Sequence, residues 1–161
     1  MTDELLSYES TVKPEWIDEF GHLNMAYYVL ICDSATFNFW EVVNGGRKLE
    51  QRNGSEYAVV EAHVNYLDEV REGDPLRITT QLLDADRKRF RLFHNMYHAR
   101  KNYLAATNEV MSLGFNLNTR GLEEFLPDIQ ERLQAMLVRH NALPRPDNAG
   151  RAIGQPRQRK S

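Results

Sequence analysis

A single cysteine, Cys32, stands in 161 residues. No intrachain disulfide can form, which excludes a disulfide-stapled secreted domain and leads us to expect a reducing, cytoplasmic setting. The opening MTDELLSYES has no basic stretch followed by an apolar run, so no secretory signal is expected. Gly-x-Ser-x-Gly, a Walker loop and a dinucleotide fingerprint are all missing, and the glycine pairs at Gly45-Gly46 and Asn53-Gly54 are turn signals rather than a phosphate loop. The longest apolar segment, Met25 to Val43, is interrupted by Asp33, Asn38 and Glu41. It reads as a helix buried nearly all round, not as a membrane span. There is no internal repeat.

The chain does have the composition of a soluble folded protein: 42% hydrophobic and 27% charged residues. Its length suits one domain, residues 1–143. From residue 144 the composition shifts to Pro, Gly, Gln and basic residues. Five basic side chains against Asp147 give this end a net +4, which leaves the body at −7 of the total −3. We read 144–161 as a disordered basic tail. An acidic body argues against nucleic-acid binding.

Residues 7–13 predict a strand, and 14–23 a loop. A helix follows over 25–43, with Asn24 as N-cap and Asn44-Gly45-Gly46 as its stop. Four strands come next, at 57–67, 76–84, 89–99 and 103–117. In the first, Ala58, Val60, Ala62, Val64 and Tyr66 share one face, and Glu61, His63 and Asn65 the other. Gly114 marks a bulge in the last. The short links at 84–88 and 100–102 imply antiparallel hairpins. A final amphipathic helix starts near Pro127, with Ile129, Leu133, Met136, Leu137 and His140 in one stripe. One curved antiparallel sheet wrapped around one apolar helix accounts for this order, with a second subunit covering what the sheet does not.

The segment PEWIDEFGHLNMAYY, from Pro14 to Tyr28, concentrates the chemistry. It places a carboxylate, a glycine, a histidine and an asparagine in a loop that feeds a helix N-terminus. Unpaired amides and the positive dipole end there can hold a developing oxyanion. A nearby carboxylate can attack a carbonyl carbon or activate water.

Asp18-x-x-Gly21-His22-Leu23-Asn24-x-x-x-Tyr28 resembles the signature of the 4-hydroxybenzoyl-CoA-thioesterase-like branch of the hotdog-fold acyl-CoA thioesterases. The run from Val60 to Val70, followed by Gly73-Asp74, is similar to that family's next strand and turn. The resemblance implies an α+β hotdog fold, a five-stranded curved antiparallel sheet around a long helix plus a C-terminal helix. It further implies thioester hydrolysis, with Asp18 as nucleophile or general base and His22 and Asn24 at the carbonyl end. Coenzyme A is part of the substrate, and no cofactor or metal is retained. Homodimers with sites across the interface, in some members paired into tetramers, are also implied. Met25 departs from the pattern, where many members carry a small polar residue, and is expected to shape the acyl pocket. At a finer level the stretches 14–28 and 59–98 are similar to thioesterases of carnitine catabolism. These are free-standing betainyl-CoA hydrolases and thioesterase domains fused to L-carnitine dehydrogenases.

Each functional reading has a plainer rival. Asp18 alone would be a turn residue, and Asp33 a structural acid. His63 and Glu61 suit a rim or interface, and Cys32 an inert thiol. His94 and His98 are spaced i, i+4, which on a strand separates them by roughly 13 Å, too far to share a zinc. Trp16, Tyr27, Tyr28 and Trp40 are candidates for an aromatic box around a quaternary ammonium, with Glu61 or Asp33 supplying charge. Lys88, Arg89 and Arg91 are candidates for the CoA phosphates. The rival from another class is a non-catalytic hotdog module that binds acyl-CoA or a partner protein.

Overall fold

The structure, a computed structural model, describes residues 5–156. Strand β1 (Leu6–Thr11) leads through a 3-10 turn to helix α1 (Met25–Val43). Strands β2 (Ser55–Tyr66), β3 (Pro75–Ala85), β4 (Arg89–His98), β5 (Leu104–Asn116) and the two-residue β6 (Gly121–Leu122) follow, then helix α2 (Pro127–Asn141). The sheet is antiparallel in the order β1-β3-β4-β5-β2, with β6 on β5. It therefore has six strands rather than five, the sixth being a short return that the sequence pattern does not announce. The strands β1 and β2 lie at opposite edges, so α1 crosses the concave face to join them. Nineteen helical residues span about 28 Å, enough to cross it.

Two apolar clusters fix α1 to the sheet. One gathers Tyr28, Ile31, Cys32 and Ala35 against Val12, Val70, Ile78 and Met96. The other gathers Phe39, Trp40 and Val43 against Leu82, Phe90, Val110 and the α2 residues Ile129, Leu133 and Met136. Between them lies a buried polar belt: Thr36, Thr80, Asn108 and His94 are all at most 2% exposed. His94 is bonded at both ring nitrogens, to the Thr36 hydroxyl at 2.8 Å and to the Thr80 hydroxyl at 2.9 Å.

Several expectations change. The α1 helix is buried on one side only. Met25, Val29, Leu30 and Phe37 are exposed, and so is Asp33 on the same side. No helix among the described residues is long and apolar enough to cross a membrane. No bulge lies at Gly114; the register slips instead in β3 between Leu82 and Asp84, at Ala105 of β5, and in β2 between Val59 and Glu61. The extra residue, Val60, flips the alternation. Tyr57 and Val59 share the helix-facing side with Ala62, Val64 and Tyr66, while Ala58, Glu61 and His63 take the convex side. Gly114 pairs in register with Tyr57. It is glycine because a Cβ there would stand 2.3 Å from the Glu123 carbonyl oxygen.

The basic tail also differs from a disordered terminus over its described part. The Gly150 amide donates to Glu109 at 2.6 Å, and Arg151 bonds Asn65, both at the convex face. Residues 157–161 lie outside the described residues.

Burial pushes the His94 imidazole down to about 3. Its charged form has no place in the belt, so the native state binds His94 protons less readily than the unfolded chain. The linked stability is complete above the unfolded pKa of about 6.5 and is lost as pH falls toward 3. Urea midpoints measured from pH 7.5 to 4 should decline below pH 6.5. His94→Gln, which does not titrate, should be less stable at neutral pH and show a flatter decline.

Candidate functional site

The loop before α1 is tied from several sides. Ile17 and Leu23 form an isolated bridge. The Asp18 amide donates to the His22 carbonyl at 2.9 Å, and Asp18 Oδ1 accepts from the amides of Phe20 at 2.9 Å and His22 at 3.3 Å. The five-residue turn closes on Gly21, whose φ of +80° favours glycine. Asp18 is thus a turn residue, as its plainer reading has it. Its second oxygen, Oδ2, takes no hydrogen bond among the described residues.

Asn24 is the N-cap: its side chain accepts from the Ala26 amide at 3.0 Å, and its own amide donates to the Trp16 carbonyl at 2.9 Å. The amide of Met25, the first helical residue, has no partner within the chain among the described residues. These groups border a cavity of about 530 Å³ lined by Asp18, Phe20, His22, Asn24, Met25 and Tyr28 from this side. The end of β2 and the turn after it, Tyr66 to Glu69, close the other side. Tyr66 packs edge-on to Tyr28, with centroids 5.1 Å apart, and its hydroxyl donates to the Met25 carbonyl at 3.1 Å. His22 Nε2 lies 2.7 Å from Glu69, which also takes Arg71 at 2.8 Å. Arg71, with His22 beside it, holds the Glu69 carboxyl below the usual carboxylate range. Burial raises the Tyr28 phenol above its ordinary value.

The structure therefore brings Asp18, His22, Asn24, Met25 and Tyr28 to one cavity and separates the other candidates from it. Trp16 and Tyr27 stack on each other at 5.6 Å, with Lys13 above the Trp16 ring. Trp40 is fully buried at the far end of α1, its indole N–H donating to Glu56 at 2.5 Å. An aromatic box of these four rings does not form, because helical spacing carries Trp40 about 20 Å from the helix start.

Glu61 lines a separate hollow on the convex face with His63, Arg91, Glu109 and Arg151. Lys88, Arg89 and Arg91 belong to the opposite end of the sheet. Arg89 pairs with Leu113 of β5, whereas Tyr66 pairs with Ala106, seven residues away or about 23 Å. Arg89 is bound to Asp86 at 2.7 Å, and Arg91 to Asp84. Within one chain they do not reach the cavity. Cys32 is buried, its thiol pushed up to about 12 by desolvation, so it is inert. Among the described residues no group of three His, Cys, Asp or Glu side chains could hold a metal.

Tyr66, Asp68 and Glu69 are the wall residues that sequence reasoning missed. The run containing them was visible, but only the sheet pairing of β2 with β5 carries its end to the start of α1.

A helix held in the concave face of a curled antiparallel sheet, its capped N-terminus opening on a cavity with a carboxylate, defines a hotdog-fold thioesterase. The chain belongs to the Thioesterase-like superfamily, whose pattern matches residues 12–133. A betainyl-CoA thioesterase of Pseudomonas aeruginosa is 35% identical over 97% of this chain and 98% of its own. An L-carnitine dehydrogenase/betainyl-CoA thioesterase of Ruegeria pomeroyi is 31% identical over 97% of this chain but 31% of its own length. Among solved structures, a Staphylococcus aureus protein in complex with CoA superposes with a TM-score of 0.85. It is 28% identical and covers 97% of this chain and 98% of its own. A Pseudomonas putida putative thioesterase gives 0.79 at 30% identity, over 94% and 97%. The protein is accordingly a thioester hydrolase of the acyl-CoA class.

Asn24→Ala removes the cap and exposes the Ala26 amide. It should lower stability by about 1 kcal/mol in urea denaturation; an unchanged midpoint would mean that the cap is redundant with the other ties on this loop.

Proposed function

We propose that the protein hydrolyses betainyl-CoA in the cytoplasm, with Asp18 as the catalytic carboxylate. One observation carries the chemistry: Asp18 shares a cavity with an unpartnered amide at the start of a capped helix. The thioester carbonyl oxygen is held at the Met25 amide, where the helix dipole favours the negative charge that grows as the carbon becomes tetrahedral. Asn24 keeps that amide in place.

Two routes balance. In the first, Asp18 Oδ2 attacks the carbonyl carbon and the C–S bond breaks. The CoA thiolate takes a proton, and water then hydrolyses the mixed anhydride. In the second, Asp18 takes a proton from water as the hydroxide adds to the carbon, and the thiolate leaves with that proton. Both give betaine and free CoA. Coenzyme A enters as substrate, and the steps use no metal or retained cofactor. His22, fixed by Glu69, borders the same space and orients the thioester or the water.

The betainyl assignment is supported by the relatives from Pseudomonas aeruginosa and Ruegeria pomeroyi, whose names carry that substrate. Binding of CoA is supported by the Staphylococcus aureus structure.

We further propose a homodimer joined along β2. This strand pairs on one side only, with β5, and leaves an open edge of twelve residues. Val59 and Val60 on it are exposed, as are the α1 residues Leu30 and Phe37. Such an edge left bare is an aggregation liability. Antiparallel pairing of two β2 strands brings the far end of one sheet toward the cavity of its partner. Lys88, Arg89 and Arg91 can then meet the CoA phosphates of the other subunit's substrate. Pairing of two such dimers would give a tetramer.

Asp18→Asn should lower kcat/KM for betainyl-CoA by at least about a hundredfold in a thiol-release assay; full activity would remove Asp18 from the mechanism. Single turnover in ¹⁸O water separates the routes. When the anhydride opens at the Asp18 carbonyl, unlabelled betaine with label left in Asp18 marks attack by Asp18; labelled betaine with unlabelled Asp18 marks water addition at the acyl carbon. Sedimentation at micromolar concentration should give about 37 kDa, twice 18.7 kDa; a species of single-chain mass would exclude the β2 dimer.

A further inference from the structure

If the acyl group is betainyl, geometry restricts what can recognise its charge. One methylene separates the carbonyl carbon from the quaternary nitrogen, so the cation sits within about 3 Å of the reacting carbon. A compensating group must line the same cavity as Asp18. Asp33 does not: it stands nine residues beyond Asn24, about 13 Å along α1. Glu61 is on the other face of the sheet.

Three carboxylates border the cavity: Asp18, Asp68 and Glu69. Glu69 is committed to His22 and Arg71, and Asp18 to its turn and the chemistry. The Asp68 carboxylate accepts one hydrogen bond, from the Glu69 amide at 2.9 Å, while its backbone carbonyl accepts from the Tyr28 hydroxyl at 3.4 Å, and the carboxylate has no basic partner among the described residues. Its position is built. The amides of Leu67 and Asp68 both donate to the Ala105 carbonyl, at 2.9 and 3.0 Å, so the chain leaves the sheet at this point. Beside it, Tyr28 and Tyr66 meet at an interplanar angle of 89° and form an aromatic corner. The Tyr66 ring is 44% exposed and fixed by its hydroxyl. A neutral acyl group gains nothing from a lone carboxylate next to the attacking one. A trimethylammonium group is held by the exposed Tyr66 ring and the carboxylate, with the buried Tyr28 backing the ring.

We propose that Asp68 and Tyr66 are the specificity-determining residues of this cavity, and that they recognise the quaternary ammonium of the acyl group. The proposal rests on the betainyl-CoA reading. Its test compares kcat/KM for betainyl-CoA with that for 3,3-dimethylbutanoyl-CoA, which keeps the shape and removes the charge. The wild-type ratio should be at least about tenfold. Asp68→Asn and Tyr66→Leu should each lower the ratio at least about tenfold, and Tyr66→Phe, which keeps the ring, should restore most of it. Asp33→Asn should leave it unchanged. Because both substrates are measured on one preparation, partial unfolding cancels.

An unchanged ratio in Asp68→Asn overturns the proposal. Inhibition by tetramethylammonium chloride, against sodium chloride at equal ionic strength, gives a second readout. A wild-type ratio near one refutes the betainyl reading. In that case, inhibition that Asp68→Asn weakens at least tenfold upholds a cation subsite for another cationic acyl group, and its absence in wild type overturns both.

Discussion

The start of α1 is the constraint on which the rest depends. A helix end must satisfy or expose its first amides. Here the Ala26 amide is capped by Asn24, and the Met25 amide before it stands open. To be useful that opening has to stay in place, and it is tied from three directions. The Trp16 carbonyl holds the Asn24 amide, the Val70 carbonyl holds the Leu23 amide, and the Tyr66 hydroxyl reaches the Met25 carbonyl. The two apolar clusters behind it immobilise the rest of the helix, so the site is rigid because the core is.

The polar belt between those clusters is the exception to an oily interior. Burying a polar group without a partner is costly, yet His94 is satisfied at both nitrogens by threonines from α1 and β3. The Thr36–His94 bond joins helix to sheet at one register, since sliding α1 by a turn would leave one imidazole nitrogen unpaired, while the Thr80 bond stays within the sheet. The belt thereby fixes where along the sheet the helix begins, and so where the cavity lies.

Much of this was legible in the residues. The α1 bounds, both hairpins and α2 follow from periodicity and capping, and the Asp18-to-Tyr28 segment declared its chemistry. What was not legible depended on contacts between distant segments. Strict alternation hid the Val60 bulge, because valine suits either face. Trp16, Tyr27 and Trp40 looked like one group in the sequence, but helical geometry points them to different places. Lys88, Arg89 and Arg91 are basic and clustered, which says nothing of the Asp84 and Asp86 that already pair with the two arginines. Asp68 and Tyr66 were overlooked because they follow the motif by some forty residues and reach it only through β5.

The Val60 bulge makes β2 a strand with two reading frames. Before it, odd positions belong to the interior; after it, even positions do. The first frame serves the packing of Tyr57 on Trp40, and the second delivers Tyr66 to Tyr28. One inserted residue thus lets a single strand obey the core at one end and the cavity at the other. The tolerance of β2 to substitution should change phase at residue 60, like a comb whose teeth shift by one midway.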